Sequence, residues 1–213
     1  VSHDILQLDW KFPSDEVYIL APGPNGKAHY DRIPADAWVI GVNKAIMLRE
    51  QAPISIWLCA DGTLPKQKWF VSEVNSIIQN NSPLSDSHIT TPCFDAGALL
   101  RMYPDVPYHF RHGQALRKSP KFAPEQGVLR AGGSISAQAV QLAYWLGAKR
   151  IVLVGVDMAG GTYFDGMVNL NPRLLPDGTS KHCRMLNGLC QWLKARGVDV
   201  VSLSPTALGV KAV

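Results

Sequence analysis

The chain has 213 residues, 46% of them hydrophobic and 18% charged, which is enough for one large domain or two small ones with a buried core. That apolar content with a net charge of only +4 excludes intrinsic disorder. No apolar run approaches the roughly 18 residues that cross a bilayer, so an integral membrane protein built of helices is also excluded.

The opening residues, Val1-Ser2-His3-Asp4, lack a basic-then-apolar signal pattern. Val17-Tyr18-Ile19-Leu20 reads as a buried strand ending in the turn Ala21-Pro22-Gly23-Pro24-Asn25-Gly26. Trp38 to Val42 is a second strand, followed by a short helix near Lys44 to Gln51. Ile54 to Cys59 is a third strand, closing at Ala60-Asp61-Gly62. Pro65 suits the first turn of a helix, and Trp69, Phe70, Val74, Ile77 and Ile78 then recur at helical spacing. Residues 80 to 130 are rich in Pro, Gly, Ser and basic side chains, with short extended candidates at Ser87–Thr91, Tyr108–Phe110 and Val128–Arg130. Within an α/β domain such a loop-rich stretch, about 83–130, reads as a lid or substrate-binding insertion. Ser134 to Leu146 is a strong helix stopped by Gly147, and Ile151 to Val156 is the clearest strand. Ser180 to Ala195 is a helix ended by Gly197, and Val198 to Leu203 is a last strand. Strands alternating with helices predict a single α/β domain over 1–213: a mainly parallel, Rossmann-like sheet flanked by helices.

The positive charge is local. Six basic residues from Arg101 to Arg130 face only Asp105 and Glu125, so this segment carries the whole +4. Such a surface steers a phosphorylated or acidic ligand; the plainer alternative is a solvated loop. The excess is small and has no recognition motif with it, so long nucleic acid is not expected. Cys59, Cys93, Cys183 and Cys190 form no CxxC pair and no zinc spacing, which points to core thiols and a cytoplasmic protein.

Four constellations are candidates for chemistry. The turn at Gly23 and Pro24 follows a strand of an open α/β sheet, where ligands bind, although it is neither a P-loop nor GxGxxG and its prolines remove amide donors. Gly132-Gly133-Ser134 opens a helix whose free N–H groups attract an anion, or is simply an ordinary capped start. Asp157 ends the best strand, and Asp61 has the same position after the third; the pair is suited to a ribose, a Mg²⁺ ion or local turns. His182 falls in the first turn of a helix, where the dipole disfavours imidazolium and leaves a ring able to accept a proton, unless it is a plain surface residue.

Taken in order, Val17 to Pro24, Val39-Ile40-Gly41-Val42-Asn43, Gly133-Ser134, Leu146 to Asp157 and Ser202 to Pro205 resemble the bacterial sialyltransferases of glycosyltransferase family 42. The resemblance runs from about Val17 to Leu208 and is loosest between Asp61 and Arg130. It implies a Rossmann-like domain that binds a CMP-sugar and transfers the sugar to an acceptor hydroxyl, with no cofactor required. Carried over, Gly23, Pro24, Asn43, Gly133, Ser134 and Asp157 fall to the nucleotide. Tyr163 falls to the leaving phosphate and His182 to the general base. Partners would be a nucleotide-sugar donor and a small acidic or sugar acceptor, and a homo-oligomer is compatible with the sequence. The turn departs from the family's usual Gly-Asn-Gly-Pro-Ser. The chain is also similar to the 6-hydroxymethylpterin diphosphokinase-like proteins, which implies ATP- and Mg²⁺-dependent pyrophosphoryl transfer with Asp61 and Asp157 as metal ligands. A third reading is a binding module that keeps the fold without catalysis.

Overall fold

The computed structural model describes residues 1–78, 84, 89–113, 127–130, 134–158, 161–169 and 181–213. Its centre is a nine-stranded sheet in which every pairing is parallel. The strands are β1 (His3–Asp4), β2 (Glu16–Leu20), β3 (Trp38–Val42), β4 (Ile56–Cys59), β5 (Thr91–Asp95) and β6 (Tyr108–Phe110). Two short strands, β7 (His112–Gly113) and β8 (Leu129–Arg130), pair with each other, and β9 (Arg150–Val154) returns to the sheet. A hairpin of β10 (Gly161–Thr162) and β11 (Val168–Asn169) precedes β12 (Asp199–Ser202) and β13 (Lys211–Ala212). The α-helices are α1 (Lys68–Ile78), α2 (Ala98–Met102), α3 (Ile135–Trp145) and α4 (Lys181–Lys194).

Alternation along the strands explains the layering. Val17, Ile19, Ile40, Ile56, Leu58, Ile151 and Leu153 join one apolar cluster with α3 and α4. Their neighbours Tyr18, Leu20, Val39, Trp57, Cys59, Val152 and Val154 join the other, with α1 and the 3-10 turn at Asn43–Leu48. Side chains of period two on strands buried on both faces give the near-continuous apolar runs of a covered parallel sheet. The expected α/β class is therefore observed.

The strand order is β1-β6-β5-β4-β3-β2-β9-β12-β13. From β2 the chain steps outward through β3, β4, β5 and β6, then crosses back to β9 and proceeds the other way. The reversal lies between β2 and β9, where paired crossovers leave a crevice beyond the carboxyl ends of the strands.

Several expectations shift. The helix expected at Lys44–Gln51 is a 3-10 turn, and Pro65 opens a 3-10 turn before α1 rather than α1 itself. Of the strand candidate at Ser87–Thr91, residues 87 and 88 lie outside the described residues, and β5 runs over Thr91–Asp95, fully buried between β4 and β6. Pro92 removes a ladder donor from that run, which is why it does not read as an interior strand. Within the stretch read as a lid, β5 and β6 therefore belong to the main sheet, and residues 114–126 lie outside the described residues. All four cysteines are buried free thiols. Among the described residues no helix is long and apolar enough to cross a membrane.

Candidate functional site

Because every strand of the sheet is parallel, the residues after β2, β3, β4 and β9 all emerge at one edge. Gly23 follows β2, Asn43 follows β3, Asp61 follows β4 and Asp157 follows β9. Helices that return to a parallel strand begin at the same edge. That puts Ser134, the cap of α3, and His182, in the first turn of α4, there as well. Ser134 Oγ accepts from the Ser136 N–H at 3.1 Å, as a capping serine should. Gly133 lies outside the described residues.

The tightest contacts are between the first turn and the end of β9. Gly23 N–H donates to the Gly155 carbonyl at 3.0 Å. A Cβ on Gly23 would stand 2.3 Å from that carbonyl oxygen and 2.5 Å from Asp157 Oδ2, so only glycine fits. Asn25 N–H donates to Asp157 Oδ2 at 3.1 Å. Asp157 is 7% exposed, and its other oxygen, Oδ1, is buried with no hydrogen-bond partner among the described residues. Burial raises its carboxyl above the usual range, and the Asn25 donors pull it partly back. The Tyr30 hydroxyl is likewise buried with no such partner, and it is raised first by burial and then by the charge of Asp157. Two buried oxygens at one crevice, without partners among the described residues, are suited to a polar group.

Asn43 adopts φ of +47°, a left-handed conformation that asparagine tolerates better than most residues. Its carbonyl accepts from Trp57 Nε1 at 2.9 Å, which fixes the backbone, while its Oδ1 is buried with no partner among the described residues. Next along the edge, Asp95 at the end of β5 keeps one buried oxygen in the same condition.

The tip of the β10–β11 hairpin closes over these groups. Phe164 N–H donates to the Pro22 carbonyl at 2.9 Å, which ties the tip to the first turn. Burial first, then the charges of Asp61 and Asp165, raises the Tyr163 phenol, so both carboxylates lie near its ring. The Lys44 ammonium pairs with Asp165 and lies 5.5 Å from the centre of the Tyr163 ring. Burial alone would raise the Asp165 carboxyl, but the Lys44 hydrogen bond and charge and the Met167 N–H hold it below its ordinary value.

His182 is 7% exposed, not a surface residue. The connection from β12 to β13 ties its helix to the site: Cys183 Sγ lies 3.4 Å from the Ala207 carbonyl, and Ala207 N–H donates to the Asp157 carbonyl at 2.9 Å.

Gly23, Asn43, Asp157 and Tyr163 are thus brought together, and Ser134 and His182 start helices at the same edge. Sequence reasoning missed Tyr30, Lys44 and Asp95. Lys44 had a visible signal, a charge set at the head of the apolar run Ala45-Ile46-Met47-Leu48. As a metal pair the two aspartates fit poorly. Asp61 Oδ1 is occupied by the N–H and hydroxyl of Thr63 at 2.8 Å each, and burial favours the protonated form of Asp157. No group of three or more His, Cys, Asp or Glu among the described residues is arranged to hold a metal. A cavity of about 320 Å³ does exist at the opposite edge, between Pro13, Glu16, Tyr18, Asp36 and Trp38. There Tyr18 already donates to Glu16 at 2.8 Å, and none of the buried unpartnered oxygens lines it.

No family model matches the chain, and no curated protein matches it. Solved structures do. A variant of the α-2,3/8-sialyltransferase CstII of Campylobacter jejuni superposes with a TM-score of 0.51 at 16% identity, over 89% of this chain and 82% of that one. A second CstII variant, in complex with CMP, gives 0.50 at 16% identity over 91% and 85%. The monofunctional α-2,3-sialyltransferase Cst-I from Campylobacter jejuni gives 0.50 at 15% identity over 93% and 78%. At these identities the likeness is one of fold.

Proposed function

We propose that the protein is a nucleotide-dependent glycosyltransferase that moves a sugar from a CMP-sugar to an acceptor hydroxyl. One observation carries the reading. The first turn, Asn43, Asp157 and the Tyr163 hairpin converge on the crevice at the sheet's reversal, where buried oxygens of Asp157 and Tyr30 lack partners among the described residues. The fold likeness to a sialyltransferase in complex with CMP supports a cytidine nucleotide as the occupant of a Rossmann-like crevice.

In this reading Asp157 and Asn43 hold the nucleoside, with Gly23 and Pro24 as the wall against which it lies. Ser134 presents the start of α3, and Gly133, next to it in sequence, is given to the nucleotide with it. Tyr163 steadies the phosphate, whose charge grows as the sugar leaves. His182 takes the acceptor's hydroxyl proton, the freed oxygen attacks the anomeric carbon, and the bond to phosphate breaks with CMP departing. No metal enters these steps. The stretch 83–130, outside β5 and β6, supplies the acceptor-side lid, and its basic residues from Arg101 to Arg130 suit a small acidic or sugar acceptor. Four buried free thiols support a cytoplasmic setting.

The test is a melting panel of CMP, a CMP-sugar and ATP with Mg²⁺. A ligand at about 100 times its dissociation constant adds about 2.7 kcal/mol, or about 5–10 °C for a domain of this size. CMP should raise the midpoint equally with and without EDTA. His182→Ala should lower turnover about 100- to 10,000-fold while CMP still binds. A midpoint that moves only with ATP and Mg²⁺ refutes the reading.

A further inference from the structure

The first turn has no amide left for a phosphate. Pro22 and Pro24 carry no N–H. Gly23 N–H is taken by the Gly155 carbonyl, Asn25 N–H by Asp157, and Gly26 N–H by the Gly23 carbonyl at 3.2 Å. A glycine-rich turn at this position in an open α/β sheet commonly holds its anion with backbone donors. In this chain those donors are occupied, so on the first-turn side of the crevice an anion has to be met by a side chain.

Lys44 is the side chain in position. It follows Asn43 directly and is 6% exposed, carried on a turn whose Ala45, Ile46 and Leu48 are core residues. Lysine stems normally lead their ammonium out to water. Here the ammonium is held inside, with Asp165 as its ion-pair partner, Met167 Sδ at 3.0 Å and the Tyr163 ring beside it. The two members of the pair are unequal: 8% of the Lys44 side chain is exposed but 27% of Asp165. The cation is the fixed inner member, and the carboxylate, on the hairpin tip, is the outer one.

We propose that Lys44 is the phosphate-binding cation of this crevice. Its ammonium exchanges Asp165 for the nucleotide's phosphate beside Tyr163, and Asp165 turns to water. This rests on the nucleotide-transferase reading and adds to it the group that replaces the missing backbone donors. As the bond between anomeric carbon and phosphate oxygen breaks, the oxygen keeps the electron pair, and the Lys44 hydrogen bond strengthens with the charge that develops.

Calorimetric titration of CMP and of cytidine into wild type, Lys44→Gln, Lys44→Arg and Asp165→Asn tests it. Lys44→Gln should bind CMP about 10- to 100-fold more weakly, the value of a charge-assisted hydrogen bond. Cytidine binding should be unchanged, and Lys44→Arg should recover most of the loss. Asp165→Asn should bind CMP more tightly, because it removes the competitor, and this holds even if Lys44→Gln fails to fold. Equal CMP affinity in wild type and Lys44→Gln overturns the proposal. So does a loss seen with a CMP-sugar and not with CMP, which would give Lys44 to the sugar. If wild type binds neither CMP nor cytidine, it is the transferase reading that fails. Inorganic pyrophosphate then decides Lys44, and equal binding to wild type and Lys44→Gln overturns it.

Discussion

Gly23→Ala isolates the contact that holds the crevice together. The added methyl group would stand 2.3 Å from the Gly155 carbonyl oxygen and 2.5 Å from Asp157 Oδ2, where van der Waals contact needs more than 3 Å. Neither side can retreat at low cost. Gly155 is itself pinned: it has φ of +69°, and a Cβ there would meet the Ala21 carbonyl oxygen at 2.3 Å. Asp157 is fixed by Asn25. The substitution should therefore cost about 3 kcal/mol, the upper end of the usual range for overpacking. For a domain of this length that lowers the melting midpoint by about 6–12 °C. Gly188→Ala is the matched control. That glycine lies within α4 with nothing within 4 Å of its would-be Cβ. Alanine there should stabilise by about 0.5–1 kcal/mol, because a helix interior favours it. Both variants are read by thermal and urea melts monitored by circular dichroism. A Gly23→Ala midpoint within a degree of wild type would mean that the turn is not packed on β9 as described.

Two further outcomes follow from the same edge. Ser134→Ala removes the hydroxyl that accepts from Ser136 N–H and should cost about 1 kcal/mol in urea melts, with Ser134→Asn restoring most of it. Asp157→Asn changes how stability depends on pH. The folded carboxyl is raised above its ordinary 3.8, so its contribution to wild-type stability is present below that value and is lost as pH rises through the folded value. The variant has no such loss. Its midpoint relative to wild type should climb over this window and level off above it, and parallel curves from pH 3 to 8 would refute the assignment.

Much of the architecture was legible because it depends on local chemistry. β-branched runs gave β3 to the residue, Ser134 marked the start of α3, and Gly147 and Gly197 stopped the helices with φ of +101° and +79°. The edge of the site was legible for a related reason, since parallel strands fix which end of each run carries the functional loops. What escaped depends on distant partners. Lys44 and Asp165 are 121 residues apart, and Asn25 and Asp157 are 132 apart. A lysine opening an apolar turn looks like a helix residue until its counter-ion is known. β5 was hidden by Pro92, whose missing donor counts against an interior strand even though the run is wholly buried between its neighbours.

The location of strain argues that this edge is a working surface. Among the described residues, the non-glycine side chains at positive φ are Asn43 and Met158, at +47° and +57°. Each lies just beyond a central strand, one after β3 and the other beside Asp157. A left-handed conformation costs a non-glycine residue about 1–3 kcal/mol, and asparagine less than methionine. Packing alone gives no reason for such a cost to fall twice at the carboxyl ends of the strands. The buried oxygens of Asn43, Asp95 and Asp157 that have no partner among the described residues fall at that same end, as does the buried ammonium of Lys44. Backbone strain, desolvated acceptors and an interior cation each carry a cost, and the polar, anionic ligand proposed for the crevice would relieve or use each of them. Their coincidence at the carboxyl ends of the strands links the topology of the sheet to the chemistry assigned to it.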